Sequence, residues 1–87
     1  MFTEAKAMAM KRVKFTFPTQ LIKKPLIYLL GHKFQVETNI RRADVREDMG
    51  WVILELDGEE EEIDRGLEWM TAEGVRVDPV SGDVIEG

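Results

Sequence analysis

The 87-residue sequence contains no cysteine. This absence excludes disulfide bridges, thiolate zinc sites, cysteine-ligated iron–sulfur clusters and a cysteine nucleophile. No apolar run approaches the roughly 20 residues that a membrane-spanning helix needs, so direct membrane insertion is not expected. The opening MFTEAKAMAM lacks the apolar segment of a signal peptide. These absences are consistent with a cytoplasmic protein that carries no metal or other cofactor.

Groups suited to catalysis are also scarce. His32 is the only histidine, and no nucleophile or carboxylate is tied to it by spacing. General acid–base catalysis needs titratable groups that converge in a protected cleft. The four glutamates at residues 59–62 lack the glycine and alternate spacing of a calcium loop, and they fit a helix first turn better. The sequence therefore predicts a protein that is not an enzyme.

The composition describes one small globular domain. Apolar residues make up 44% of the chain and charged residues 33%, with a net charge of −5. A chain of this size buries only about 60–65% of its unfolded surface, so a deep preformed cavity would need a second chain. The acidic balance argues against binding to nucleic acid, which requires a concentrated basic surface.

Hydrophobic periodicity predicts the element order β-α-β-β-α-β. The predicted strands are residues 11–17, 35–44, 51–56 and 75–80. The first predicted helix starts at Pro25, and the second covers residues 59–73. Residues 1–10 are interpreted as a flexible leader, residues 11–80 as the domain, and residues 81–87 as a flexible tail. Residues 47–50 are expected to form a turn with Gly50 at positive φ.

This order predicts an α+β fold, the ferredoxin-like sandwich. Right-handed crossovers place both helices on one face of a four-stranded antiparallel sheet and leave the other face uncovered. The apolar phase of the second strand changes near Arg41 and Arg42, which indicates a β-bulge or a switch of the covered face. Gly74 is expected to end the second helix as a C-terminal glycine.

An ordered set of segments carries a family resemblance. The segments are FQVETNI at 34–40, WVILELDG at 51–58, GLEWM at 66–70 and GVRV at 74–77. Together they resemble the NIL domain family over roughly residues 11–80. The resemblance implies a ferredoxin-like fold similar to ACT domains.

The family suggests two functional settings. One group of NIL domains forms the C-terminal regulatory segment of the ATPase in methionine importers, where bound methionine inhibits transport. Another group precedes a two-cluster ferredoxin segment in proteins linked to homocysteine synthesis, and the opening KRVKFTFP at 11–18 looks more like this group. The chain has neither the ATPase segment nor the cluster cysteines, so it is interpreted as a stand-alone domain or an excised piece.

The resemblance also points to ligand residues. It places Asn39 where importer domains contact methionine, and an amide can donate to a carboxylate and accept from an ammonium. Ile40, Arg41 and Val36 complete the predicted ligand set, with Arg41 and Arg42 as candidates for a ligand carboxylate. The alternatives are an Asn39 side chain that satisfies backbone groups beside the bulge, and two solvated arginines.

The uncovered sheet face predicts an interface. Trp51 and Ile53, grouped with Val36 and Ile40, are apolar residues expected there, either in a homodimer interface or as a ligand wall. The alternative is partial cover by the leader or tail. The expected function is a non-catalytic regulatory domain that senses methionine or a related sulfur amino acid at a dimer interface. The other hypothesis is a protein-interaction subunit that works in trans with an importer, or with an iron–sulfur, redox or sulfur-transfer enzyme of homocysteine and methionine synthesis.

Overall fold

A computed structural model describes residues 7–81 of the chain. Two helices connect four strands, and a single 3₁₀ turn at Thr19–Leu21 follows the first strand. In chain order the elements are β1 (Met8–Pro18), α1 (Leu26–Lys33), β2 (Val36–Val45), β3 (Met49–Glu59), α2 (Glu60–Glu73) and β4 (Arg76–Pro79).

The strands form one antiparallel sheet in the order β2-β3-β1-β4. The central strands β1 and β3 pair along their whole length, from Met8 opposite Glu59 to Pro18 opposite Met49. Both helices pack on the same face of this sheet through one apolar core. The predicted ferredoxin-like α+β sandwich is confirmed.

The core follows the alternation that the sequence shows. Every second residue of β1 and β3 points toward the helices, and the apolar stripes of α1 and α2 pack against them. The core residues that expose less than 2% of their surface are Phe15, Leu26, Leu30, Leu54, Leu56, Ile63 and Met70.

Two predicted boundaries are wrong, and they have the same cause. β1 begins at Met8, so residues 8–10 belong to the sheet rather than to a flexible leader. β3 already includes Gly50, which is buried within the strand instead of lying in a turn at positive φ. β1 and β3 pair with each other up to both ends, so the additional residues of each strand find backbone hydrogen-bonding partners in the other strand. The rest of the expected leader, residues 1–6, and most of the expected tail, residues 82–87, lie outside the described residues.

The ends of α2 agree with the sequence. Gly74 has a φ of 107°, and its N–H donates to the carbonyl of Thr71 while the N–H of Val75 donates to Met70. A left-handed residue here is accessible to glycine at little cost, which explains the end of the helix. At the other end, three glutamates occupy the first turn, where the helix dipole favours negative charge.

The predicted irregularity in the second strand is a β-bulge. Ile40 lies opposite Leu54, whereas Arg42 lies opposite Ile53, so Arg41 is the extra residue. The bulge shifts the alternation of β2 by one position. It therefore decides which side chains of this strand point away from the helices.

Candidate functional site

The sheet surface opposite the helices is not covered by any element that the structure describes, and we call it the open face. Its side chains alternate with the core residues of each strand and come into register across the sheet. The open face includes Met10, Arg12, Lys14 and Thr16 of β1, Glu37, Asn39, Arg41, Arg42 and Asp44 of β2, Trp51, Ile53, Glu55 and Asp57 of β3, and Arg76 and Asp78 of β4.

Glu55 lies at the centre of a polar cluster on this face. Its carboxylate accepts hydrogen bonds from Arg12, with Nε at 3.2 Å from Oε2, and Nη1 of Arg41 lies 3.9 Å from Oε1. Asn39 is its cross-strand neighbour on β2. The hydrogen bond from Arg12 lowers the pKa of Glu55 below its ordinary value. The carboxylate is therefore ionised at neutral pH, although only 14% of the side chain is exposed.

An apolar patch adjoins this cluster. Trp51 and Ile53 are half-buried, and the ammonium of Lys14 lies 5.2 Å from the centroid of the Trp51 ring. Ile53 lies in register between Lys14 and Arg42. The patch is thus an apolar strip with Lys14 over the face of the indole ring, where a cation is attracted, and with Asp44 opposite Trp51 on β2.

The predicted site residues divide between the two faces of the sheet. Asn39 and Arg41 lie on the open face with Trp51, but Val36 and Ile40 do not. Val36 is 6% exposed and belongs to the core, and Ile40 lies on the helix side opposite Leu54. Grouping these two residues with Trp51 and Ile53 was wrong, because Val36 and Ile40 precede the bulge and share the phase of the strand positions that point toward the helices.

Glu55 and Arg12 are not among the site residues predicted from the sequence. One signal was available, since alternation in the third strand already places Glu55 in the same phase as Trp51 and Ile53. That Arg12 pairs with Glu55 is visible only in the register of β1 with β3. A charged residue at the middle of a central strand is unusual enough to serve as a pointer to a site.

The remaining predictions concern isolated groups. His32 is exposed near the end of α1, where its ring stacks on Tyr28 at 4.1 Å between centroids. Within residues 7–81, no cluster of three or more histidine, aspartate or glutamate side chains has the arrangement of a metal site. The same residues include no helix that is both long and apolar enough to cross a membrane.

The open face has the complementary groups that a zwitterion needs. Glu55 and the amide oxygen of Asn39 can accept hydrogen bonds from an ammonium, and Arg41 can donate to a carboxylate. The strip formed by Trp51 and Ile53 can contact an apolar chain. A small α-amino acid with an apolar side chain carries all three features.

Comparison with known proteins supports a family assignment. The family model described as NIL domain matches residues 11–79. The C-terminal domain of an ABC transporter ATP-binding protein from Enterococcus faecalis has a TM-score of 0.72 and 23% identity, covering 84% of this chain and 86% of that one. The de novo designed protein Foldit4 has a TM-score of 0.54 and 15% identity, over 85% of this chain and 97% of that one.

At these identities the two structures show a shared fold and nothing more. No curated protein matches the chain. The family model covers most of the sequence and spans both helices and the four strands of the sheet. The chain belongs to the NIL domain family.

Proposed function

We propose that this NIL domain is a non-catalytic regulatory module of the cytoplasm that binds methionine or a related sulfur amino acid on its open face. The observation that carries the proposal is the position of the Glu55 carboxylate beside Arg41 and Asn39, next to the apolar strip. Membership of the NIL domain family supports the regulatory role, because one group of these domains forms the regulatory segment of importer ATPases.

The ligand would lie along the sheet. Its ammonium would contact Glu55 and Asn39, and its carboxylate would contact Arg41, which is 56% exposed and therefore accessible. Its thioether chain would run over Ile53 toward Trp51, where sulfur makes favourable contacts with an aromatic ring. Arg12 would act indirectly, by keeping Glu55 ionised and oriented.

A homodimer would complete this site. A sheet surface alone leaves one side of a bound amino acid in water, whereas small-ligand sites bury about 70–90% of the ligand. A second open face across a two-fold axis would cover the ligand and bury Trp51 and Ile53 of both copies. Ligand binding and dimer formation would then stabilise each other.

Isothermal titration with methionine tests the proposal. We expect wild-type protein to release heat, and Glu55→Gln to weaken binding about ten- to a hundredfold because a charged hydrogen bond is lost. Glu61→Gln, an exposed substitution on α2, is the matched control and should bind as wild type. Sedimentation with and without methionine reports the dimer. The absence of both heat and a rise in Tm at saturating methionine would contradict the proposal, since a ligand at 100 times its Kd stabilises by about 2.7 kcal/mol.

The mixture of apolar and charged side chains on the open face favours a second candidate, a protein-interaction subunit that works in trans. Lys14 and Arg42 lie beside Ile53, while Asp44 lies opposite Trp51 and Arg76 pairs with Asp78 on the same face. Such a surface suits a partner with an apolar patch and charges of both signs around it, for example an importer ATPase or an iron–sulfur or sulfur-transfer enzyme of methionine synthesis. Pull-down with the products of neighbouring genes tests it. Methionine binding without any captured partner would argue against this candidate.

A further inference from the structure

The helix side of the sheet carries an incompletely covered region. α1 has 8 residues and is about 12 Å long, whereas the 10 residues of β2 extend about 33 Å. The helix cannot cover the whole strand. Two apolar side chains of β2 on this side remain in solvent as a result, Ile40 at 57% exposure and Val45 at 60%.

A cleft of about 160 Å³ lies where the start of α1 meets the ends of β1, β2 and β3. Its walls include the buried side chains of Phe17, Leu26 and Val52, and Val45 stands at its rim. Gly50 lies opposite Val45, and a Cβ at Gly50 would come within 3.4 Å of the Val45 side chain. The missing side chain of Gly50 therefore leaves part of this space open.

The size and lining of the cleft suit a short apolar chain. Apolar cavities of about 150 Å³ stay dry and bind molecules such as benzene. The cleft can therefore hold an apolar group of about six heavy atoms.

Among residues 7–81, Lys24 is the one charged residue that lines the cleft. Its Nζ lies 3.3 Å from Oε1 of Glu73, and the lysine side chain is 55% exposed. An ammonium has three donors, and the bond to Glu73 uses one of them. Lys24 can therefore also bind an anionic group at the mouth of the cleft.

We infer that this cleft is a second binding site, separate from the open face, for an aliphatic monocarboxylate whose unbranched chain enters the cleft while its carboxylate pairs with Lys24. The apolar lining selects the chain, and Lys24, which lines the cleft while its partner Glu73 does not, selects an acid over an amine or an alcohol. The inference does not depend on amino-acid binding, because the two sites lie on opposite sides of the sheet and share no residue.

The test is a titration followed by two-dimensional amide NMR, with hexanoate as the probe. We expect saturable shifts at Phe17, Val45, Gly50 and Val52, with a Kd on the order of 1 mM for a ligand of this size. Hexan-1-ol and hexylamine have the same chain without the negative charge, and they should bind more weakly. If hexanoate gives no saturable shift at the cleft up to about ten times that Kd, the inference is wrong.

Two pairs of variants locate the probe. Val45→Trp fills the cleft from its exposed rim and should abolish the shifts, whereas Ile40→Trp adds the same bulk on the same side of β2 outside the cleft and should not. Lys24→Gln should weaken hexanoate binding about two- to fivefold, the range of an exposed ion pair, and Lys23→Gln should leave it unchanged. Unaltered hexanoate binding by Val45→Trp, or hexylamine binding as tight as that of hexanoate, would overturn the assignment.

Discussion

Gly66→Ala sets two physical effects against each other at the contact between the helices. Within α2, alanine is favoured over glycine by about 0.8–1.0 kcal/mol of helix propensity. However, a Cβ at Gly66 would lie 2.7 Å from Cδ1 of Leu30, a residue that is only 1% exposed and cannot move into solvent. Overpacking of a core costs about 1–3 kcal/mol. The packing cost is the larger, and we expect a net destabilisation of about 1 kcal/mol.

Urea denaturation measures this difference. An 87-residue domain has a free energy of unfolding of about 4–13 kcal/mol, so a change of 1 kcal/mol is resolvable. The matched background is Leu30→Val, which lacks the Cδ1 atom that faces Gly66. In that background Gly66→Ala should become stabilising, by up to about 1 kcal/mol, because propensity acts without the clash. The reasoning is refuted if alanine stabilises the wild-type background, or if its effect has the same sign in both backgrounds.

Three further predictions concern two glycines and one carboxylate. Gly58→Ala should destabilise by at least about 2 kcal/mol in urea, because its Cβ would lie 2.6 Å from the backbone oxygen of Gln35, which cannot rotate away. Gly74→Ala should cost about 1–2 kcal/mol in the same assay, because a φ of 107° is strained for an L side chain. The hydrogen bond from Arg12 lowers the pKa of Glu55 from its ordinary value of 4.5. The ionised Glu55 therefore stabilises the folded protein above that pH, and this stabilisation is lost as the pH falls through the lower pKa of the folded state. The difference in unfolding free energy between wild type and Glu55→Gln should therefore shrink below about pH 4.

Controls for these predictions come from the same chain. Gly31→Ala places a Cβ 3.6 Å from the carbonyl oxygen of Val36, which is an ordinary van der Waals distance. Because Gly31 lies within α1, this substitution should be neutral or stabilising. If Gly31→Ala is as damaging as Gly58→Ala, the close approach at Gly58 is not the cause. Glu61→Gln should not reproduce the pH dependence of Glu55→Gln, since Glu61 is exposed on α2. A constant difference between wild type and Glu55→Gln from pH 7 to pH 3 would contradict the role of Arg12.

The element order and the irregularity of the second strand were readable from the sequence. Alternation in β1 and β3 and the stripe of Ile63 and Met70 in α2 are local patterns, and each matches the observed burial. The end of α2 at Gly74 is local as well, because it depends on the conformational freedom of one residue. Strand ends were less predictable. Residues 8–10 have no strong pattern of their own and join the sheet because β3 extends far enough to pair with them.

The sequence by itself determined the fold class, the bulge and the presence of an uncovered sheet face, because these follow from side-chain periods of two and of 3.6 residues. Tertiary structure decided which side chains meet. Arg12 and Glu55 are 43 positions apart and become neighbours through strand register, while Val36 and Ile40 lie on the helix side because the bulge comes after them. The cleft beside Val45 likewise depends on how far α1 extends over β2. The register of the strands and the part of the sheet that the helices cover are set by contacts between distant segments, and no local pattern encodes them.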